Sequence, residues 1–122
     1  MSRPILPESH IHPAIRERVS QLHRATLDEV QQAIAQHAVV VVGMATNPFV
    51  RKARKLLDAA GVSHHYLGYG SYLSEWRRRN SIKLWSGWPT LPMVFVKGVL
   101  VGGADDLGAL IRSGELGQLL KR

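Results

Sequence analysis

Trp88-Pro89-Thr90-Leu91-Pro92-Met93-Val94-Phe95-Val96-Lys97-Gly98-Val99-Leu100-Val101-Gly102-Gly103-Ala104-Asp105-Asp106 is the stretch around which the rest of the chain arranges itself. Pro92 opens an apolar run, and proline is tolerated at a strand's first residue. Lys97-Gly98 reads as a tight turn into a short second strand. Gly102-Gly103 gives the backbone access to positive φ and to close approach by another group. Asp105 and Asp106 stand where a helix N-terminus favours negative side chains, which predicts a helix from Asp105. Taken alone the combination reads first as an ordinary hairpin followed by a capped helix, and beyond that as a binding ledge.

Upstream, Val39 to Val42 is a β-branched run without alternation, the pattern of a strand buried on both faces. Asn47 is a good N-cap and Pro48 a good first helical residue. The helix that follows is expected to reach about Ala60, burying Val50, Ala53, Leu57 and Ala60, with Gly61 as its C′ glycine. Residues 63–68 read as a second strand, and a β-α-β unit of this length implies a parallel pair. Leu73 to about Lys83 reads as the next helix. Leu107, Leu110 and Ile111 form the buried face of a helix that breaks near Ser113-Gly114, and 115–120 is a short final helix.

Closer to the N-terminus, Ile15, Val19 and Leu22 have helical spacing. Thr26-Leu27-Asp28-Glu29 reads as a capping box with Thr26 as N-cap, opening a helix to about Gln36. Whether 14–36 is one kinked helix or two stays open. Residues 1–13, with three prolines, read as an extended arm. His10 and His12 lie on one side of that arm, but two ligands are too few for a metal site. The sum is a four-stranded mixed sheet with helices on both faces, an α/β fold.

The composition narrows the chemistry. The chain has 122 residues, 45% of them hydrophobic and 20% charged, which suits one globular domain. No apolar run is long enough for a bilayer, and no signal-like segment opens the chain, so a cytoplasmic location and no membrane partner are expected. The sequence contains no cysteine, which removes thiol catalysis, disulfides and thiolate ligation from this chain acting alone. Sixteen Lys and Arg against nine Asp and Glu give +7 and favour anionic partners. Arg51, Lys52, Arg54, Lys55, Arg77, Arg78, Arg79 and Lys83 would form a basic face for an acidic protein or an extended peptide. Nucleic-acid binding has no supporting signature beyond the charge, with aromatics at 7%. His64 and His65 are adjacent in a strand and face opposite ways. Trp76, Trp85 and Trp88 read as core or groove lining.

The topology with a proline at the third strand, together with Trp88-Pro89-Thr90-Leu91-Pro92, Val96-Lys97-Gly98, Val101 to Asp106 and Ser113-Gly114-Glu115-Leu116, resembles the monothiol glutaredoxins. The resemblance covers Thr26 to Leu120. It divides the chain into a 1–25 N-terminal arm and helix and a 26–122 domain of the thioredoxin-like glutaredoxin fold. In that family the helix start after the first strand carries Cys-Pro-x-Cys or Cys-Gly-Phe-Ser; here the place holds Asn47-Pro48-Phe49-Val50. A thiolate is the obligatory nucleophile of disulfide exchange. The glutathione-dependent disulfide reductase and electron-transfer activity that the resemblance carries is therefore not expected, nor is an iron–sulfur cluster; the resemblance still implies a place in cell redox homeostasis.

The resemblance implies a retained glutathione site. Pro92 would be cis, and the Leu91 backbone would pair with the cysteinyl residue, with Thr90 in the contact segment. Gly103, Ala104 and Asp105 would hold the γ-glutamyl end, and Arg79 the glycyl carboxylate. Asn47 would lie near the glutathione sulfur. The family's basic residue a few positions before the nucleophile is replaced by Met44 or a neighbour. One such charge-assisted contact contributes about 1.5–3 kcal/mol, so binding is expected to be weak. The expected protein is a glutaredoxin-like binder of glutathione or a related peptide, with a basic interaction module on the same scaffold as the alternative.

Overall fold

The computed structural model describes residues 3–71 and 73–122; the first two residues of the expected arm lie outside them. Four strands form one sheet in the order β2-β1-β3-β4. β1 (Val39–Gly43) pairs parallel with β2 (His65–Gly68), Val41 facing Tyr66. On its other side β1 pairs antiparallel with β3 (Met93–Val96), Val42 facing Met93. β3 pairs antiparallel with β4 (Val99–Gly102) through a two-residue turn at Lys97-Gly98. Both turn residues have positive φ, 51° and 81°, as a hairpin turn that matches strand twist requires.

The four valines of β1 divide the core by alternation. Val40 and Val42 pack with Val30, Ala33, Ile82, Met93 and Phe95 beneath α2 (Arg24–Gln36) and α4 (Trp76–Ser86). Val39 and Val41 pack on the opposite face with Ala53, Leu57, Leu107 and Leu116. That second layer is built by α3 (Pro48–Ala59), α5 (Ala104–Ser113) and α6 (Glu115–Leu120). Burial on both faces is why the run lacks a polar alternation. No helix among the described residues is long and apolar enough to cross a membrane.

Several local expectations change. α1 (Pro13–Gln21) and α2 are separate helices, divided at His23, which has φ 49°. Thr26 is therefore inside α2 and is not its N-cap. It is buried, and its hydroxyl accepts from Arg78 Nε at 2.9 Å. α4 starts at Trp76, not Leu73, because residues around Ser71 and Ser74 close a turn on their own hydroxyls. Ala60 is exposed beyond the end of α3. Leu107 is buried, whereas Leu110 and Ile111 are only half-buried.

α5 begins one residue earlier than expected, with Gly103 as N-cap. Asp106 folds back so that its Oδ2 accepts from the Gly103 N–H at 3.0 Å. Gly102, at φ 112°, is needed here: a Cβ would lie 2.5 Å from that same oxygen. The carboxylate thus closes against a backbone that carries no side chain.

Candidate functional site

Three segments converge at one end of the sheet: the start of α3, the loop before β3, and the start of α5. The Leu91–Pro92 peptide between them is cis. The β1–β3 register continues on paper to Met44 opposite Leu91, but the ladder stops at Val42–Met93. The Leu91 N–H and C=O have no hydrogen-bond partner among the described residues, although Leu91 is 7% exposed. Backbone groups so placed are ordinarily paired with protein, water or ligand. Leu91 presents one open rung of a sheet.

Two cavities flank that rung. One, of about 320 Å³, is lined by Trp88, Pro92, Gly103, Ala104, Asp105 and Asp106 together with Phe49, Thr90 and Leu91. The other, of about 360 Å³, is lined by Met44, Asn47, Arg79, Lys83 and Pro89, and again by Phe49, Thr90 and Leu91. The two share a wall at Phe49, Thr90 and Leu91. All seven residues named for the ligand from sequence, Arg79, Thr90, Leu91, Pro92, Gly103, Ala104 and Asp105, line one or both.

The electrostatics differ at the two ends. At the first cavity, the Ala104 and Asp105 N–H groups have no acceptor among the described residues, and they carry the positive end of α5. Asp105 is solvent-exposed, and its Oδ1 accepts from Lys52 Nζ at 2.9 Å. That hydrogen bond, and then the lysine's charge, hold the carboxyl below its ordinary range. Trp88 lines this cavity with its Nε1–H buried and unpartnered among the described residues.

At the second cavity, Arg79 and Lys83 stand four residues apart on one face of α4. Arg79 is 7% exposed, and its Nη1 donates to the carbonyls of Tyr69, at 2.9 Å, and Ser74. It anchors the β2–α4 connection while lining the cavity. Lys83 was placed by sequence only in a general basic face; its spacing from Arg79 was the signal for this second cation.

Asn47 caps α3. Its Oδ1 accepts from Phe49 N at 2.9 Å and Val50 N at 3.2 Å. Sulfur anions at helix starts are held by N–H groups of this kind; here an amide oxygen takes them, and an amide does not exchange with a disulfide. With no thiolate in the chain and this oxygen committed to the backbone, the donor set does not fit an iron–sulfur cluster.

The expected basic face does not hold together. Arg78 binds Thr26 and also Glu75 Oε2 at 2.6 Å, and its guanidinium lies 4.8 Å from the Tyr69 ring centroid. Beneath it, the Tyr69 hydroxyl donates to Glu29; burial first, then that bond, hold the phenol well above its usual range. Arg54 lies over the Tyr66 ring at 4.2 Å. Arg77 sits beside the exposed Trp76. Arg51, Lys52 and Lys55 line a separate hollow of about 600 Å³ on the outer face of α3 with Pro48, Leu56 and Ala59. His64 and His65 do part: His64 lies toward Asp58, and His65 stacks on His37 at 4.2 Å.

No protein-family model matches the chain. The sequence is 46% identical, over 85% of each chain, to a glutaredoxin-like protein of Dictyostelium discoideum. It is 32% identical, over 99% of this chain and 84% of the relative, to the mitochondrial monothiol glutaredoxin-5 of Schizosaccharomyces pombe. The backbone is similar to that of a buckwheat glutaredoxin–glutathione complex, with TM-score 0.73 and 23% identity over 83% of this chain and 92% of that one. At that identity the likeness is one of fold.

Proposed function

The chain belongs to the glutaredoxin family, with its thioredoxin fold, and from that premise we propose that it holds glutathione or a closely related peptide without reacting with it. The observation that carries this reading is the open backbone rung at Leu91, set between two cavities of opposite character. An extended peptide pairs with such a rung as one added strand residue.

The ends of the ligand follow from charge. A γ-glutamyl α-carboxylate suits the free N–H groups at the start of α5. Its α-ammonium suits Asp105, in competition with Lys52. A glycyl carboxylate at the far end suits Arg79 and Lys83. The buckwheat relative, in complex with glutathione, supports the choice of ligand. The central side chain then lies at the shared wall, facing Asn47. An amide there neither attacks a disulfide nor forms a mixed one, since exchange requires a thiolate.

Titration of isotope-labelled protein with millimolar glutathione tests the reading. Amide shifts at Thr90, Leu91 and Asp105 are expected. Unmoved resonances at those three positions overturn it.

A second reading has one specific observation behind it, the hollow on α3 where Arg51 and Lys55 flank Pro48, Leu56 and Ala59. An acidic partner would dock there. Charge reversal at Arg51 and Lys55 tests this surface, because Arg78 and Arg79 are tied into the fold.

A further inference from the structure

We propose that the peptide held at this site carries a blocked, apolar central side chain, with the sulfur as a thioether of the S-alkylglutathione type, in preference to a free thiol. The inference rests on the peptide-binding reading given under Proposed function and specifies its ligand.

A ligand that spans both cavities must cross the wall they share, at Phe49, Thr90 and Leu91. Its central side chain therefore meets whatever faces that crossing. Phe49 stands in that wall, and two more apolar groups, the Met44 thioether and the Pro89 ring, line the second cavity beside it. Phe49 is 56% exposed, so it has apolar surface left for a ligand to cover. A thioether sulfur and its alkyl group make favourable contacts with an aromatic ring and with methionine.

The polar side of the crossing gives a free thiol no compensating advantage. The N–H groups of Phe49 and Val50 are the donors at this helix start that would favour a thiolate, and Asn47 Oδ1 accepts from both. The cations Arg79 and Lys83 are assigned to the ligand's terminal carboxylate. A thiol would thus lose hydration on entry without gaining an anion site. An alkyl substituent gains roughly fourfold in affinity for each methylene it buries.

The experiment is calorimetric titration of the full chain with glutathione, S-methylglutathione and S-hexylglutathione. Affinity is expected to rise along that series, with the hexyl conjugate about tenfold or more tighter than glutathione. The ratio of hexyl conjugate to glutathione should narrow severalfold in Phe49→Ala. The Met44 methyl resonance should shift with the hexyl conjugate and not with glutathione. Glutathione binding as tightly as the hexyl conjugate, or tighter, overturns the proposal while leaving the peptide reading intact. Absence of binding by all three ligands at millimolar concentration overturns both. A hexyl preference that Phe49→Ala leaves unchanged also overturns the proposal, because the alkyl chain is then held elsewhere.

Discussion

Lys52 on α3 places its Nζ 2.9 Å from Asp105 Oδ1 on α5, so a carboxylate that lines the first cavity is already paired with a lysine 53 residues away in sequence. Both partners are exposed, at 53% and 81% of their side chains. Such pairs are weak and salt-screened, which makes this one replaceable by a ligand.

Lys52→Met is expected to raise glutathione affinity a fewfold at low salt, with the gain shrinking as salt is added. In the same variant the Asp105 carboxyl should titrate higher than in the parent, because the hydrogen bond and charge that depress it are gone. The sign follows from the depressed value. The pair is intact above the ordinary aspartate range and is lost as pH falls through the folded-state value. Carboxyl-carbon NMR titration of both proteins checks this; identical Asp105 curves would contradict it.

Asn47→Cys replaces the α3 cap by a thiol and frees the Phe49 and Val50 N–H groups. Loss of the cap should cost about 0.5–2 kcal/mol. The new cysteine should titrate below its ordinary value, as thiols at helix N-termini do. It should also form a mixed disulfide with oxidised glutathione, seen by mass spectrometry. The parent should show neither an adduct nor turnover in a glutathione-coupled disulfide reduction assay. Turnover by the parent well above the uncatalysed rate would refute the non-covalent reading.

Arg78→Met removes the guanidinium that joins Thr26 and Glu75 over the Tyr69 ring. The variant should lose about 1–3 kcal/mol, because a buried acceptor and its neighbours lose a charged donor. Arg77→Met, beside an exposed tryptophan, should fall within about 0.5 kcal/mol of the parent. Urea unfolding midpoints for the pair measure the contrast, and equal midpoints would remove the structural role given to Arg78.

Gly102→Ala puts a Cβ 2.5 Å from Asp106 Oδ2 at a φ of 112°. The strain and the displaced cap should destabilise the protein by about 1–3 kcal/mol. Glutathione affinity should fall with it, since the start of α5 moves. Thermal unfolding and titration together test this. An unaffected midpoint would mean that the loop relaxes freely.

Much of this molecule is legible in short-range pattern. Val39 to Val42 announces a strand buried on both faces, Asn47-Pro48 a helix start, Lys97-Gly98 a hairpin turn and Gly102-Gly103 with its aspartates another helix start. Each depends on hydrogen bonds or periodicity within a few residues. The same locality explains the errors. Thr26-Leu27-Asp28-Glu29 has the form of a capping box, yet the helix begins at Arg24, where the His23 carbonyl accepts from the Thr26 and Leu27 N–H groups, and the Thr26 hydroxyl is bound by Arg78, across 52 residues. Leu73 fits a helical pattern, but its N–H is taken by the Ser71 hydroxyl in the turn between Ser71 and Ser74.

The sequence by itself determined the four-stranded mixed sheet with helices on both faces, through periodicity and turn chemistry, and the absence of any thiol, since it contains no cysteine. It also named the ledge from Trp88 to Asp106. Only the tertiary structure decided what the charges around it do. It shows that Arg79 anchors a loop while lining a cavity, that Arg78 belongs to the scaffold, that Lys52 covers Asp105, and that Leu91 is left with an open rung. Those outcomes depend on distances between segments far apart in the chain, which local pattern does not encode and which packing sets.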